Sequence, residues 1–140
     1  GLWVVPGLAS ESTDALEHRL VQPDAVGLAE RLADRVAQGQ PVAATCSSVF
    51  LLRDSGALAG RCVTTTWWLA QHLRRTAPGC RVEADRIVCV DGALVTAGAA
   101  MAQVDVMLHV LRSHGVALAD AVARGLLLDA RTAQSAYTLP

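Results

Sequence analysis

The chain has 140 residues, a formal net charge of −1 and 52% hydrophobic residues, enough for one domain with a buried core and too apolar for a disordered chain. Its 12 basic residues are all arginine and form no long run, which argues against a nucleic-acid surface. No apolar run approaches the roughly 20 residues a membrane helix needs, and the N-terminus G-L-W-V-V-P-G has neither the basic region nor the cleavage site of a signal peptide.

Residues 2–5 are wholly apolar and close on Pro6-Gly7, which predicts a strand buried on both faces and ended by a tight turn. Such a strand has neighbours on both sides, so part of the sheet is expected to precede Gly1. Residues 9–22 are polar and read as a loop with a short irregular helix. Pro23 then opens a clear helix, with Asp24 favourable beside the N-terminal dipole. Val26, Ala29, Leu32, Ala33 and Val36 recur at helical spacing, Glu30, Arg31, Asp34 and Arg35 face outward, and Gly39 and Pro41 end the helix.

Residues 42–45 form the next strand, and it runs straight into Cys46, flanked by small residues, and an apolar helix over 47–53. This is the pattern of a sharp strand-to-helix turn, or nucleophile elbow. Small neighbours are required there because the central residue is crowded by backbone on both sides. The turn lifts one side chain over the carboxyl end of the sheet, beside helix N–H groups that favour an anion. A buried structural cysteine at a strand end accounts for the same letters.

Residues 61–65 read as a third strand. A helix follows over 67–75, with Trp68, Leu69 and Leu73 as its apolar face, and Pro78-Gly79 breaks it. After a short extended piece over 81–83, strands over 87–90 and 94–96 are joined by Asp91-Gly92-Ala93 as a hairpin. Gly98 follows. A helix over about 100–113 carries Met101, Val104, Leu108 and Leu111 on one stripe and is capped by Gly115. A short helix over 119–125 and a trailing segment from Arg131 complete the chain. Alternating strands and helices with one inserted hairpin predict a mostly parallel sheet covered on both faces.

Cys46, Cys62, Cys80 and Cys89 include no C-x-x-C pair, and no histidine stands at zinc-finger spacing from any of them. They read as reduced thiols of a cytoplasmic protein that uses no metal or other cofactor. Cys62, Cys80 and Cys89 read as small strand or loop residues.

The ordered segments A-T-C-S-S-V-F-L-L, G-A-L-A-G-R-C-V-T-T-T-W-W, D-R-I-V-C-V-D-G, T-A-G-A-A-M-A-Q-V-D-V-M-L-H-V-L and V-A-R-G-L-L-L-D carry a family likeness. From Leu2 to about Gln134 the chain resembles the ThiJ/PfpI-like, class I glutamine amidotransferase-like domain at the N-terminus of AraC-type transcriptional regulators. The resemblance implies a flavodoxin-like three-layer sandwich that forms a homodimer, senses a small-molecule effector, and touches DNA only through a helix-turn-helix module outside this chain. It also implies that residues 1–140 are about the C-terminal two-thirds of that sensing and dimerisation domain. The first strands, with the acidic residue that contacts the elbow cysteine in enzymatic relatives, are then expected elsewhere.

A cysteine hydrolase needs a thiolate, a base and oxyanion donors. Cys46 supplies a thiol, with donors expected from the Ser47 N–H and the turn at Gly7. The family pattern commonly reads T-T-H-W, but here Thr66 occupies the histidine position, and a threonine hydroxyl accepts no proton near neutral pH. Enzymatic relatives often have two glycines in the first loop, where this chain has Gly7-Leu8. His18, His72, His109 and His114 read as surface or packing residues, His72 lying about one turn beyond Thr66. Trp67 and Trp68 suit core and interface, one ring buried and the other partly exposed at a dimer contact. Asp105 reads as a solvated or ion-paired acid, and Met101 and Met107 as core or interface fillers.

The sequence therefore points first to a non-catalytic sensor with Cys46 as a vestigial nucleophile. Its pocket, by the general rule for open α/β sheets, lies at the strand carboxyl ends around Gly7, Cys46, Ser47, Thr66, Trp67 and Gly98. A small polar or anionic ligand suits the helix N–H groups there. The alternatives are a cysteine-dependent hydrolase or hydratase of the same superfamily, and a structural dimer module without a ligand.

Overall fold

Val42–Thr45, the strand β2, is buried along its whole length, and the rest of the molecule is laid down on either side of it. The structure is a computed structural model and describes residues 1–98, 102–128 and 133–134. β2 lies between β1 (Trp3–Val5) and β6 (Leu94–Ala97), parallel to both, and β5 (Val88–Asp91) pairs antiparallel with β6 at the far edge. β3 (Cys62–Val63) and β4 (Arg81–Val82) form a separate parallel ribbon. Side chains join this ribbon to the hairpin: the Asp91 carboxylate accepts from the Cys62 N–H at 2.7 Å, and the Thr96 hydroxyl accepts from the Thr64 N–H at 2.9 Å.

Strand periodicity divides the core into two layers. Trp3, Val5, Val42, Ala44 and Leu94 pack with the helices α1 (Thr13–Leu20), α2 (Pro23–Ala37), α3 (Val49–Asp54) and α4 (Ala70–Thr76). Val4, Ala43, Val95 and Ala97 face the other way, onto α5 (Ala102–His114). α6 (Val116–Gly125) packs on α5. The result is the expected flavodoxin-like α/β sandwich, with a mostly parallel sheet, helices on both faces and a small hairpin.

Several local expectations need correction. Among the described residues β1 is an edge strand, with Val5 buried and Trp3 and Val4 half-buried. Arg31 and Arg35 cover the Trp3 ring, with guanidinium carbons 5.5 and 4.4 Å from its centre. The segment read as irregular holds the regular helix α1, because the Ser12 hydroxyl accepts from the Ala15 N–H and Leu16 and Leu20 bury one turn apart. In α2 the buried position is Ala25, and Val26 is exposed.

The third strand stops at Val63, and the buried Thr64 and Thr65 hydroxyls donate to the Arg86 and Cys46 carbonyls at 2.8 and 2.7 Å. In α5 the buried face centres on Ala102 and Val106, leaving Val104 and Leu111 half-buried and Met107 exposed. Met101 lies outside the described residues, as does most of the trailing segment from Arg131. Asp105 is buried, which removes the solvated half of its reading and leaves the ion-paired half standing. Gly115 ends α5, its N–H donating to the Leu111 carbonyl, and α6 begins at once, earlier than its sequence pattern shows.

Candidate functional site

β2 ends by passing directly into a single 3₁₀ turn, Cys46–Ser48, and then into α3. Cys46 has φ of +55°, the left-handed conformation that a residue with a Cβ adopts only under constraint. The constraint is a set of buried hydroxyls. Ser48 Oγ accepts from the Thr45 N–H at 2.9 Å and lies 2.9 Å from the Val5 carbonyl and 2.8 Å from the Thr45 carbonyl, to either of which it donates. Thr45 Oγ1 donates to the Val5 carbonyl at 3.2 Å. From the other side, Thr65 Oγ1 donates to the Cys46 carbonyl at 2.7 Å. A buried hydroxyl left unpaired would cost about 1–3 kcal/mol, so these bonds hold the turn closed. The expected elbow is therefore present in the structure.

The same bonds gather the predicted site residues. Because Thr45 and Ser48 hold the end of β1, the following loop passes directly over the turn. A Cβ added at Gly7 would lie 3.3 Å from Cys46 Cβ and 3.7 Å from its sulfur. The Leu8 N–H donates to Ser47 Oγ at 2.8 Å, which commits one loop donor to that hydroxyl. Thr66 is buried and starts the 3₁₀ turn Trp67–Leu69, its carbonyl accepting from the Leu69 N–H. Gly98 lies against Thr65, so that an added Cβ would fall 2.2 Å from the Thr65 carbonyl oxygen. Gly7, Cys46 and the buried Ser47 thus pack together, with Thr65 linking them to Gly98 behind.

Trp67 and Trp68 correct the expectation of one buried ring. They are 57% and 38% exposed, because Leu69, Ala70 and Leu73 take the buried face of that helix.

Among the described residues Cys46 Sγ has no hydrogen-bond partner, and no histidine is bonded to it. His18 and His114 are exposed, the latter with Nδ1 3.0 Å from the Val110 carbonyl, and His109 is half-buried on α5. His72 is not the surface residue its position suggested. Its Nε2 lies 2.7 Å from Glu17 Oε1, and its ring stacks on Phe50 with centres 5.7 Å apart. Arg53 grips the same carboxylate through two bonds of 2.5 and 2.9 Å. Arg53 above all, helped by His72 and opposed by partial burial, brings the Glu17 carboxyl down to about 2. This cluster ties α1, α3 and α4 together on the helical side of the core.

One buried polar residue was not legible in the sequence. Gln134 Nε2 donates to the carbonyls of Thr65 at 2.8 Å and Arg86 at 2.9 Å, bracing the segment that holds the elbow. No local pattern marks it, since its partners lie 69 and 48 residues away. Among the described residues no group of three or more His, Cys, Asp or Glu side chains is arranged to hold a metal ion, and no helix is long and apolar enough to cross a membrane.

Solved structures share this architecture. DJ-1beta from Drosophila melanogaster superimposes with a TM-score of 0.68 at 19% identity, over 92% of this chain and 64% of its own. A ThiJ/PfpI family protein from Pseudomonas syringae gives 0.70 at 19% identity, over 93% of this chain and 50% of its own. An AraC family transcriptional regulator from Pseudomonas putida gives 0.63 at 21% identity, over 76% of this chain and 58% of its own. The chain thus spans less than two thirds of the length of each, and at these identities the likeness is one of fold. Comparison with curated proteins finds no match. The sequence model of the DJ-1/PfpI family matches residues 14–113, a stretch that runs from α1 through the elbow and the hairpin to α5, and the chain belongs to that family.

Proposed function

We propose that the chain is a ligand-sensing and dimerisation domain of an AraC-type transcriptional regulator, in which Cys46 shapes a pocket and turns over no substrate. The observation that carries this reading is Thr66, a buried hydroxyl at the position where the family pattern commonly has histidine. A strained thiol to which no base is bonded among the described residues lacks the group that would activate it or return a proton to a leaving group. The likeness to the Pseudomonas putida regulator supports the same reading. The ligand is small and polar and lies near Gly7, Cys46, Ser47, Thr66 and Trp67, with Gly98 behind them. Exposed Trp67 and Trp68 suit a contact between two copies. DNA contact falls to a helix-turn-helix module beyond these residues, and the working compartment is the cytoplasm.

A second reading, a cysteine-dependent hydrolase or hydratase, draws on the φ of +55° at Cys46, a strain of the kind that clusters at active sites. Turnover of activated esters, amides and 2-oxoaldehydes by the wild-type chain and by Cys46→Ser separates the two. Equal, background rates are expected. Thr66→His is expected to raise the alkylation rate of Cys46 by about tenfold or more, by installing a base. Wild-type turnover lost in Cys46→Ser would overturn the sensor reading. A thermal-shift screen of small polar metabolites should find one that raises the unfolding temperature, since binding to the folded state alone stabilises it. Sedimentation equilibrium should give a dimer, and a monomer at every concentration would remove the dimerisation half.

A further inference from the structure

The other three cysteines lie together, away from the elbow residues, where the β3–β4 ribbon meets the hairpin. Cys62 on β3 places its sulfur 3.4 Å from that of Cys89 on β5, and both are free thiols. A disulfide bond is about 2.05 Å long, so the sulfurs need only about 1.4 Å of closure.

The two thiols differ in access. Cys62 is half-buried and lines a cleft of about 380 Å³ with Arg61, Cys80, Arg81 and Asp91. Cys89 is 3% exposed. Around Cys62 the charges are mixed. Glu83 Oε1 lies 3.7 Å from its sulfur, and Asp91 pairs with Arg61 at 3.7 Å. Arg81 stands beside Cys62 in the parallel register of the ribbon.

We propose that Cys62 and Cys89 form a redox-active dithiol, in which a small hydroperoxide entering the cleft oxidises Cys62 and Cys89 then closes an intramolecular disulfide. In the first step the Cys62 sulfur attacks one peroxide oxygen. An S–O bond forms, the O–O bond breaks, and the thiol proton leaves with the departing alcohol or water. The sulfur becomes a sulfenic acid. In the second step the Cys89 sulfur attacks the Cys62 sulfur. The S–S bond forms, the S–O bond breaks, and the departing hydroxide takes the Cys89 proton as water. Two thiols are oxidised for one peroxide reduced.

Burial foremost, with the Cys62 sulfur next, raises the Cys89 thiol above its ordinary value. Cys89 is buried while Cys62 lines the cleft, so Cys89 leaves the first attack to Cys62. Its position at contact distance favours the second step over further oxidation of the sulfenic acid. Cys80 shares the cleft, and burial raises its thiol as well.

The test uses the folded chain and equimolar hydrogen peroxide, followed by alkylation of the remaining thiols, proteolysis and mass spectrometry. A Cys62–Cys89 cross-linked peptide, two hydrogens lighter than the dithiol, is expected as the main product at these positions. It should form equally in Cys46→Ser and revert with dithiothreitol. In Cys89→Ser, a second equivalent of hydrogen peroxide should advance Cys62 to the sulfinic acid. Recovery of Cys62 and Cys89 as alkylated thiols, sulfinic acid at Cys62 of the wild-type chain, or pairing of Cys62 with Cys80 or with a second molecule would each overturn the proposal. The decisive measurement is on the wild-type chain, so it does not depend on a variant folding.

Discussion

A single added methyl group distinguishes the two glycines that border the elbow. At Gly98 a Cβ would lie 2.2 Å from the Thr65 carbonyl oxygen and 2.3 Å from Gln134 Nε2. The carbonyl is backbone and cannot retreat without carrying the Thr65 hydroxyl off the Cys46 carbonyl. At Gly7 the nearest atom is Cys46 Cβ at 3.3 Å, and a shift of a few tenths of an ångström relieves it. Gly98→Ala is therefore expected to destabilise by about 3 kcal/mol and Gly7→Ala by about 1 kcal/mol, measured by urea unfolding. Equal losses would mean that the Thr65 segment yields freely and does not hold the turn. The elbow cysteine was legible because its neighbours are small and it stands between an apolar strand and an apolar helix. The hydroxyls that hold it were not, since Thr45, Ser48 and Thr65 look like ordinary strand and turn residues until the chain is folded.

At the scale of elements, α1 shows what a short polar segment conceals. Its pattern is weak, yet Ser12 caps it and Glu17 fastens it to α3 and α4 through Arg53 and His72. The Glu17 carboxyl is depressed in the folded state from 4.5 to about 2, so its stabilisation is fully present above 4.5 and is lost as the pH falls through 2. Its side chain is 39% exposed, and solvent screening reduces the contribution to about 1–2 kcal/mol. Stability measured between pH 5 and pH 2 should fall less steeply in Glu17→Gln than in the wild-type chain (about pH 4.5 being the onset). Identical slopes would show that the carboxylate gains nothing from Arg53. By contrast, β2, α2 and the hairpin were read closely from sequence, because apolar runs, Pro23 and Asp91-Gly92 are local signals. The Trp67–Trp68 pair misled, because ring size suggests burial while the helix turns Leu69 and Leu73 inward.

For the whole molecule, the layered α/β arrangement followed from alternating elements, and the family match agrees with it. What could not be read was how the ribbon attaches, since that depends on partners far apart in the chain. Two parallel strands sit beside a four-stranded sheet without sharing its ladder. The amides of Cys62 and Thr64 donate to the side chains of Asp91 and Thr96. Protection of those two amides from solvent deuterium therefore depends on one carboxylate and one hydroxyl. They should exchange sooner than the amides of β2, which is enclosed by neighbours on both sides. Replacing Thr96 by valine should hasten exchange at Thr64 while leaving β2 slow. A ribbon fastened in this way can shift by small steps while the central sheet stays intact.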